Sequence, residues 1–399
     1  MSQKSLNPFR QAFGPKEIKS AKSVINYYNK KKQDPPYNGF FEKKLSKSFT
    51  KFMHGGYAKP VSTGTSAIYV ALQALKLKKG SEILLSPVND SGPFNCVIAL
   101  GYVPKLVDSE KLSYNTNLEE IKKRIGKKTK AFLLTHIGGS SVEIGKIYSF
   151  LKKKKIKIIE DCSQAAGASC FECIPRCKTC KNKYVGEFGD IAAFSTMYRK
   201  NISSGGSGGI VFTKNKKIFT NIMAYSDRGK KIWKNINLND PGLAMFPALN
   251  HNTNDFTCAI THASLLRLNN TNTRRRKILE NFLKELKILK TCTPSKYNKG
   301  FAPFFFPIFV NEKKLKCTKR TFAITLKKQG VGLLEEYNCI ISRWKWARKY
   351  LNDNFVCKNA NEMRKKSFNL FLNENYTTTT IKNIVKKMVL VEKKYLRKI

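Results

Sequence analysis

The chain has 399 residues, 41% of them hydrophobic and 11% aromatic, which suits a large core in about two domains and excludes a disordered chain. Lys and Arg number 75 against 27 Asp and Glu, a net charge of +48, and such a balance favours polyanionic partners. The excess is lysine scattered evenly through stretches such as "KKKQ", "KLKKG" and "LKKKKIK", as a compositional bias leaves it, and no helix-turn-helix, RNA-binding aromatic motif or basic arm points to nucleic acid.

The first 50 residues read as an N-terminal arm with two helices, "PKEIKSAKSVINYYNK" and "GFFEKKLSKSFTKFM". No apolar secretory segment is present there, so a cytoplasmic protein is expected. From residue 51 to about 270, strand-length apolar runs alternate with helical patterns. "AKPVS" precedes the helix "TSAIYVALQALKL"; then come "EILLSP", a helix near "PFNCVIALG", "VPKLVD", a helix near "LEEIKKRI", and "KAFLLTH". A helix near "GKIYSFLKKK" leads to "IKIIED", and a cysteine-rich loop leads to "DIAAFST" and "GGIVFT". Fully apolar strands alternating with helices predict an α/β domain around a mostly parallel sheet covered on both faces. Residues 271–399 read as a smaller α+β domain: a helix "RRRKILENFLKELKIL", a strand "FAPFFFPIFV", then mixed elements to "VEKKY". That strand is the longest apolar run, and it is too short to span a membrane.

Ligands of such sheets bind beyond the carboxyl ends of the strands, where four groups of chemically able residues fall. Gly64, Thr65 and Ser66 sit at a strand-to-helix turn, whose free N–H groups suit a phosphate, although Thr65 would serve equally as an ordinary N-cap. Asp161 ends an apolar strand, with Gln164 three residues on; such a carboxylate caps structure or pairs with a buried cation. Lys200 follows the next strand, five residues after Ser195, and a lysine beside a central strand is solvated, paired or chemically used, one use being a Schiff base. The "SSGGSGG" after it lets the backbone turn sharply and pass close to a ligand.

In order and approximate spacing, "GTSAIYVALQAL", "IIEDCSQAAGA", "GDIAAFS", Lys200 with its "NI" and glycine run, and "RRRK" after "ASLLRL" resemble the DegT-type sugar aminotransferases. These are fold type I enzymes that use pyridoxal 5'-phosphate (PLP). The resemblance runs from Phe13 to about Tyr376. It implies that Lys200 carries PLP as a Schiff base, that Asp161 pairs with the ring nitrogen, and that Gln164 lies beside the ring. It further implies that Thr65, Ser66 and Ser195 hold the phosphate, and that Asn250 reaches the phosphate region of a neighbouring subunit in a homodimer with shared active sites. The implied reaction transfers an amino group, with glutamate the expected donor, to a keto sugar on a nucleotide diphosphate, as in amino-sugar synthesis for surface polysaccharides such as lipopolysaccharide. Ping-pong kinetics follow. Alternatives are a PLP-dependent sugar dehydratase, whose family members carry histidine in place of the lysine, and a basic non-catalytic binding protein on the same scaffold.

Departures from the family pattern fall in the pocket. Asp90 stands where an aromatic residue usually stacks on the PLP ring, and Phe94, one helical turn on, is the alternative ring. "GGSGG" replaces "GEGG", and Asn252 replaces an arginine, whereas His136 keeps a family position.

The remaining motif is a loop longer than the family's between Asp161 and "GD". It carries Cys170, Cys173, Cys177 and Cys180 as C-x2-C-x3-C-x2-C. Two C-x2-C pairs can supply four thiolates to a structural zinc; reduced, unliganded thiols are the other reading. With 11 cysteines and no secretory segment, a disulfide framework is not expected.

Overall fold

The computed structural model describes residues 5–10, 13–170, 183–233, 240–297 and 300–397. Its centre is a seven-stranded sheet of β1 (Tyr57–Val61), β2 (Glu82–Leu85), β3 (Val103–Leu106), β4 (Thr129–Thr135), β5 (Lys157–Asp161), β6 (Ile191–Ser195) and β7 (Gly209–Thr213). The spatial order is β1-β7-β6-β5-β4-β2-β3. The neighbours from β3 to β6 pair in parallel, and β7 runs antiparallel to both β6 and β1. The sheet is therefore mostly parallel, as the alternating pattern predicts. The exception has a local cause: only residues 196–208 join β6 to β7, and they form a turn rather than the helical crossover that parallel pairing requires.

Alternate strand residues enter different cores, as the period of two dictates. Ile83, Ala131, Leu133, Ile159, Ala193 and Val211 face one cluster with α3 (Gly64–Ala74) and α4 (Ser91–Ala99). On the opposite face, Phe194, Ile210 and Phe212 join α1 (Pro15–Lys31) and α2 (Phe40–Phe52). Leu84, Phe132, Leu134 and Ile158 pack on that same side near α5 (Leu118–Lys122) and α6 (Ile144–Lys153). Further on, α7 (Lys216–Ser226) packs on α3, and α8 (Asp255–Leu266) packs on α1 and α2.

A second core belongs to an antiparallel sheet of β8 (Cys292–Pro294), β9 (Phe305–Val310), β10 (Leu333–Leu334) and β11 (Ser367–Phe371), in the order β10-β11-β9-β8. It is completed by α10 (Lys319–Lys328) and α12 (Thr378–Tyr395), whereas Ala360 and Met363 of α11 (Lys358–Lys366) pack into the α3–α4 cluster. Helix α9 (Leu268–Glu285) joins the two parts: Leu268 sits in the core beside α1, and Ile278, Leu279 and Phe282 sit in the second. Phe305, Tyr337, Ile340 and Ile341 pack into the α3–α4 cluster, so the smaller sheet leans over the face of the large sheet to which Ile159 points. Among the described residues no helix is long and apolar enough to cross a membrane.

Candidate active site

Register gathers the candidate residues at one edge of the large sheet. Val61 and Ser195 both pair with Gly209, and Asp161 pairs with Ala193 and Thr135. The turn after β1 therefore lies beside the end of β6. Helix α3 is capped by Thr63, whose Oγ1 accepts the Ser66 N–H at 2.9 Å. The cap is thus Thr63 and not Thr65. Thr65 is exposed in the first turn, and the N–H groups of Gly64 and Thr65 have no acceptor within the helix. The Ser66 hydroxyl is engaged by Thr63 and Ser62, each at 2.9 Å. A side chain at Gly64 would place its Cβ 2.6 Å from that of Ser195, and one at Gly92 would come 2.6 Å from Thr65 Oγ1. These two glycines let α3, β6 and α4 close around the Thr65 and Ser195 hydroxyls.

Asp161 ends β5 on the same face as Ile159, and its Oδ1 accepts the Ser163 N–H at 3.0 Å. Burial raises its pKa against the opposing pull of Ser163, Lys200 and His136. Burial also lowers the pKa of Lys200, and Asp161, Asp90 and Cys339 pull it back up. Each group is drawn toward neutrality by the loss of water and toward charge by the other.

Lys200 sits in a tight turn, its N–H bonded to Met197 O at 2.8 Å, and the glycine segment folds back over it. Ser204 N–H donates to Thr196 O, and Thr196 N–H to Gly208 O, at 2.7 and 2.9 Å. Two glycines are required there. Gly205 has φ +81°, and a Cβ on Gly209 would lie 2.2 Å from Thr63 O. The Lys200 ammonium lies 4.9 Å from the centroid of the Phe304 ring. Phe304 stands just outside β9, held by its N–H to Gly138 O at 3.1 Å.

Each end of the Gln164 amide has one partner: it accepts from Gly138 N–H at 2.9 Å and donates to the Tyr337 hydroxyl at 3.1 Å. His136 is wholly buried. Its Nδ1 accepts the Val142 N–H at 3.3 Å, so its Nε2 donates to Glu160, 3.1 Å away. Glu160 also accepts the N–H groups of Gly186, Phe188 and Gly189. His136, Glu160 and Cys162 lie within ligating distance of one another, but those hydrogen bonds account for the histidine and the carboxylate.

Asp90 caps α4 through the Gly92 N–H at 3.0 Å, is exposed, and acts on Lys200 electrostatically. Phe94 is not beside Lys200. It is fully buried and edge-on to Trp344 and Trp346 at 6.2 and 5.6 Å, because its place on α4 turns it into the core. Asn250 is exposed, bonded to the Tyr37 hydroxyl at 3.4 Å and to Asn252. Cys170 is buried, whereas Cys173, Cys177 and Cys180 lie outside the described residues. Phe304, Tyr337 and Cys339 escaped the sequence reading. Phe304 had a signal, an aromatic run too long for the strand that follows it; the other two lie on an irregular segment with none.

The DegT/DnrJ/EryC1/StrS aminotransferase family model matches residues 24–389. A GDP-perosamine synthase of Escherichia coli O157:H7 is 28% identical over 255 residues, 63% of this chain and 64% of that protein. The chain thus matches somewhat less than two thirds of that relative's length. PseC of Helicobacter pylori, an aminotransferase in pseudaminic (pseudoaminic) acid biosynthesis, superposes with TM-score 0.85 at 19% identity, covering 98% of this chain and 100% of that one. An E. coli GDP-4-keto-6-deoxy-D-mannose-3-dehydratase with bound hydrated PLP superposes with TM-score 0.85 at 20% identity, covering 97% and 100%.

Proposed function

Because the chain belongs to the DegT/DnrJ/EryC1/StrS aminotransferase family, we propose that it is a PLP-dependent aminotransferase. Its amino acceptor is a keto sugar on a nucleotide diphosphate, and its donor is an amino acid, glutamate first. The observation that carries this reading is Lys200 at the strand ends, its Nζ 4.9 Å from the Phe304 ring centre and held toward charge by Asp161 first.

The residues present fit the cofactor. The free N–H groups at the start of α3, with the Thr65 and Ser195 hydroxyls packed together through Gly64 and Gly92, suit its phosphate. Asp161 suits the ring nitrogen, whose proton it would hold. When bound, PLP supplies an aldehyde that condenses with amines and a ring that withdraws electrons. Lys200 Nζ, lowered toward neutrality by burial, is the base that takes the proton from the substrate carbon and the acid that returns it. The site hydroxyls and amides bind and orient, and Phe304 and Tyr337 exclude water from one side. The net charge of +48 favours capture of a diphosphate, and a nucleotide-sugar substrate supports a cytoplasmic location. The relatives that make perosamine and pseudaminic acid precursors support a sugar acceptor for surface polysaccharide.

The dehydratase reading draws on the fold shared with the E. coli enzyme, and Lys200 argues against it, since dehydratases of this kind are expected to carry histidine there. One experiment separates the two. Purified protein is incubated with PLP, glutamate and a panel of keto-sugar nucleotides, and products are weighed by mass spectrometry. An aminated sugar is expected in the parent and not in Lys200→Ala. A deoxygenated sugar without amination would establish the dehydratase, and an unchanged panel with no bound cofactor would remove the enzyme reading.

A further inference from the structure

The turn that presents Lys200 is closed by its own bonds, among them Tyr198 N–H to Gly206 O at 3.0 Å and the Ser204 hydroxyl to Thr196 O at 2.7 Å, but four of the residues 203–209 that cover it are glycine. Two arginines distant in sequence tie it to the rest of the molecule. Arg275 on α9 is 1% exposed. Its Nη1 donates to Asn201 Oδ1 at 2.7 Å and to Pro303 O at 3.0 Å. Those acceptors are the residue after Lys200 and the residue before Phe304. Its Nε and Nη2 donate to Glu374 Oε2 at 3.0 and 2.8 Å. Arg10 approaches from the other side. Its Nη1 donates to Tyr198 O at 2.9 Å, two residues before Lys200, and its Nε donates to Glu374 Oε1 at 3.3 Å. Glu374 lies just beyond β11, so one carboxylate joins the arginine behind the turn to the arginine in front of it.

The N-terminal arm that carries Arg10 is itself fastened to the smaller sheet. Leu6 N–H donates to Gly330 O at 2.8 Å. The Asn373 and Asn375 amides donate to Pro8 O and Phe9 O, each at 2.9 Å. Asn201 Nδ2 donates to Asn272 Oδ1 at 2.9 Å, and Asn272 donates to Ala166 O at 3.0 Å, in the loop that follows Asp161.

We infer that Arg275, Glu374 and Arg10 form a positioning clamp that fixes the Lys200 turn and the Phe304 wall together, with the N-terminal arm as its outer jaw. This deepens the reading of Lys200 as the lysine that carries PLP, and it rests on that reading. The clamp does not touch reacting atoms. It acts by holding Nζ to one position, and reaction rates fall steeply with small displacements of a reacting group. Arg is needed at 275 because one planar fork serves a carboxylate and two further acceptors at once, which a lysine cannot do.

The test uses the full-length holoenzyme and the variants Arg10→Ala, Glu374→Gln and Arg275→Lys. Borohydride reduction and peptide mapping of the parent come first: an adduct on a lysine other than Lys200 sinks the PLP reading and leaves the clamp to the second measurement. That measurement is hydrogen exchange of the 197–208 peptide in the same full-length protein. Faster exchange is expected in Arg10→Ala at an unchanged melting temperature, and parental exchange in Arg10→Ala and Glu374→Gln overturns the clamp. With the adduct on Lys200, Arg10→Ala is expected to lower kcat about tenfold and Arg275→Lys further, with KM within about threefold, and to weaken the circular dichroism of the bound cofactor. Parental kcat and dichroism in all three variants also overturn it.

Discussion

The ammonium of Lys200 sits 4.9 Å from the centre of the Phe304 ring, a lysine facing an aromatic ring across a gap of 104 residues in the chain. The ring walls one side of Nζ and so limits where the amine can lie, and rates fall steeply when a reacting group is displaced. Phe304→Leu is therefore expected to lower kcat/KM by roughly three- to thirtyfold while leaving the cofactor attached. Unchanged kcat/KM in a folded Phe304→Leu would show that the ring does no more than fill space.

The Asp161 carboxylate is buried, and its hydrogen bonds come from Ser163, backbone and side chain. Removing its charge costs the fold little and the reaction much. Asp161→Ala is expected to melt within a few degrees of the parent and to lose about 100-fold or more in turnover, at about 1.4 kcal/mol per tenfold. Steady-state kinetics beside a thermal melt decides it; near-parental turnover ends the assignment.

Asn250 stands exposed next to Leu249, which is 59% exposed, and near Phe256 at 39%. We propose that this surface is covered in a homodimer and that Asn250 serves the neighbouring site. Lys200→Ala and Asn250→Ala are each expected to be inactive alone. Mixed and allowed to exchange subunits, they should recover about a quarter of the parental rate, the share expected from random two-fold dimers. An active monomer by light scattering would overturn the idea.

The four-cysteine loop is proposed to hold zinc away from the chemistry. Ser169 bridges to Tyr184 at its base, closing the loop there. Elemental analysis of protein purified without added metal should find about one zinc per chain. Four freely titrating thiols and no metal would leave the loop metal-free.

Glu374 feels burial, which pushes its pKa up, but Arg275 and Arg10 hold it down, from 4.5 to about 2. Its folded pKa lies below the unfolded one, so its contribution to stability is complete above about pH 4.5 and is lost as pH falls toward 2. Glu374→Gln, which leaves buried arginines unpaired, is expected to cost roughly 3 kcal/mol at neutral pH. The gap to the parent should narrow through that acid window in denaturant titrations. A gap independent of pH would mean that the carboxylate charge is not what holds the arginines.

The large sheet was legible because buried parallel strands have a simple signature, and its binding edge followed from where Asp161 and Lys200 fall. The direction of β7 was not, because the pattern of apolar residues is the same in either direction and only the short link decides. Phe94 misled for a similar reason: the spacing along α4 was known, but not which side faced the core. Phe304, Tyr337 and Arg275 come from more than 70 residues past Lys200, and no local pattern records which distant segments will close over a turn.

Glu374 serves three arginines, since Arg267 also approaches it at 3.5 Å. In a chain with 27 acids against 75 bases, carboxylates are the scarce component, and some of the buried ones become junctions for several partners. Glu160 is the second case, with a histidine and three backbone amides on one side chain. Tolerance to substitution should therefore be lopsided. A surface lysine has many equivalents, whereas the loss of one such glutamate unpairs several groups at once.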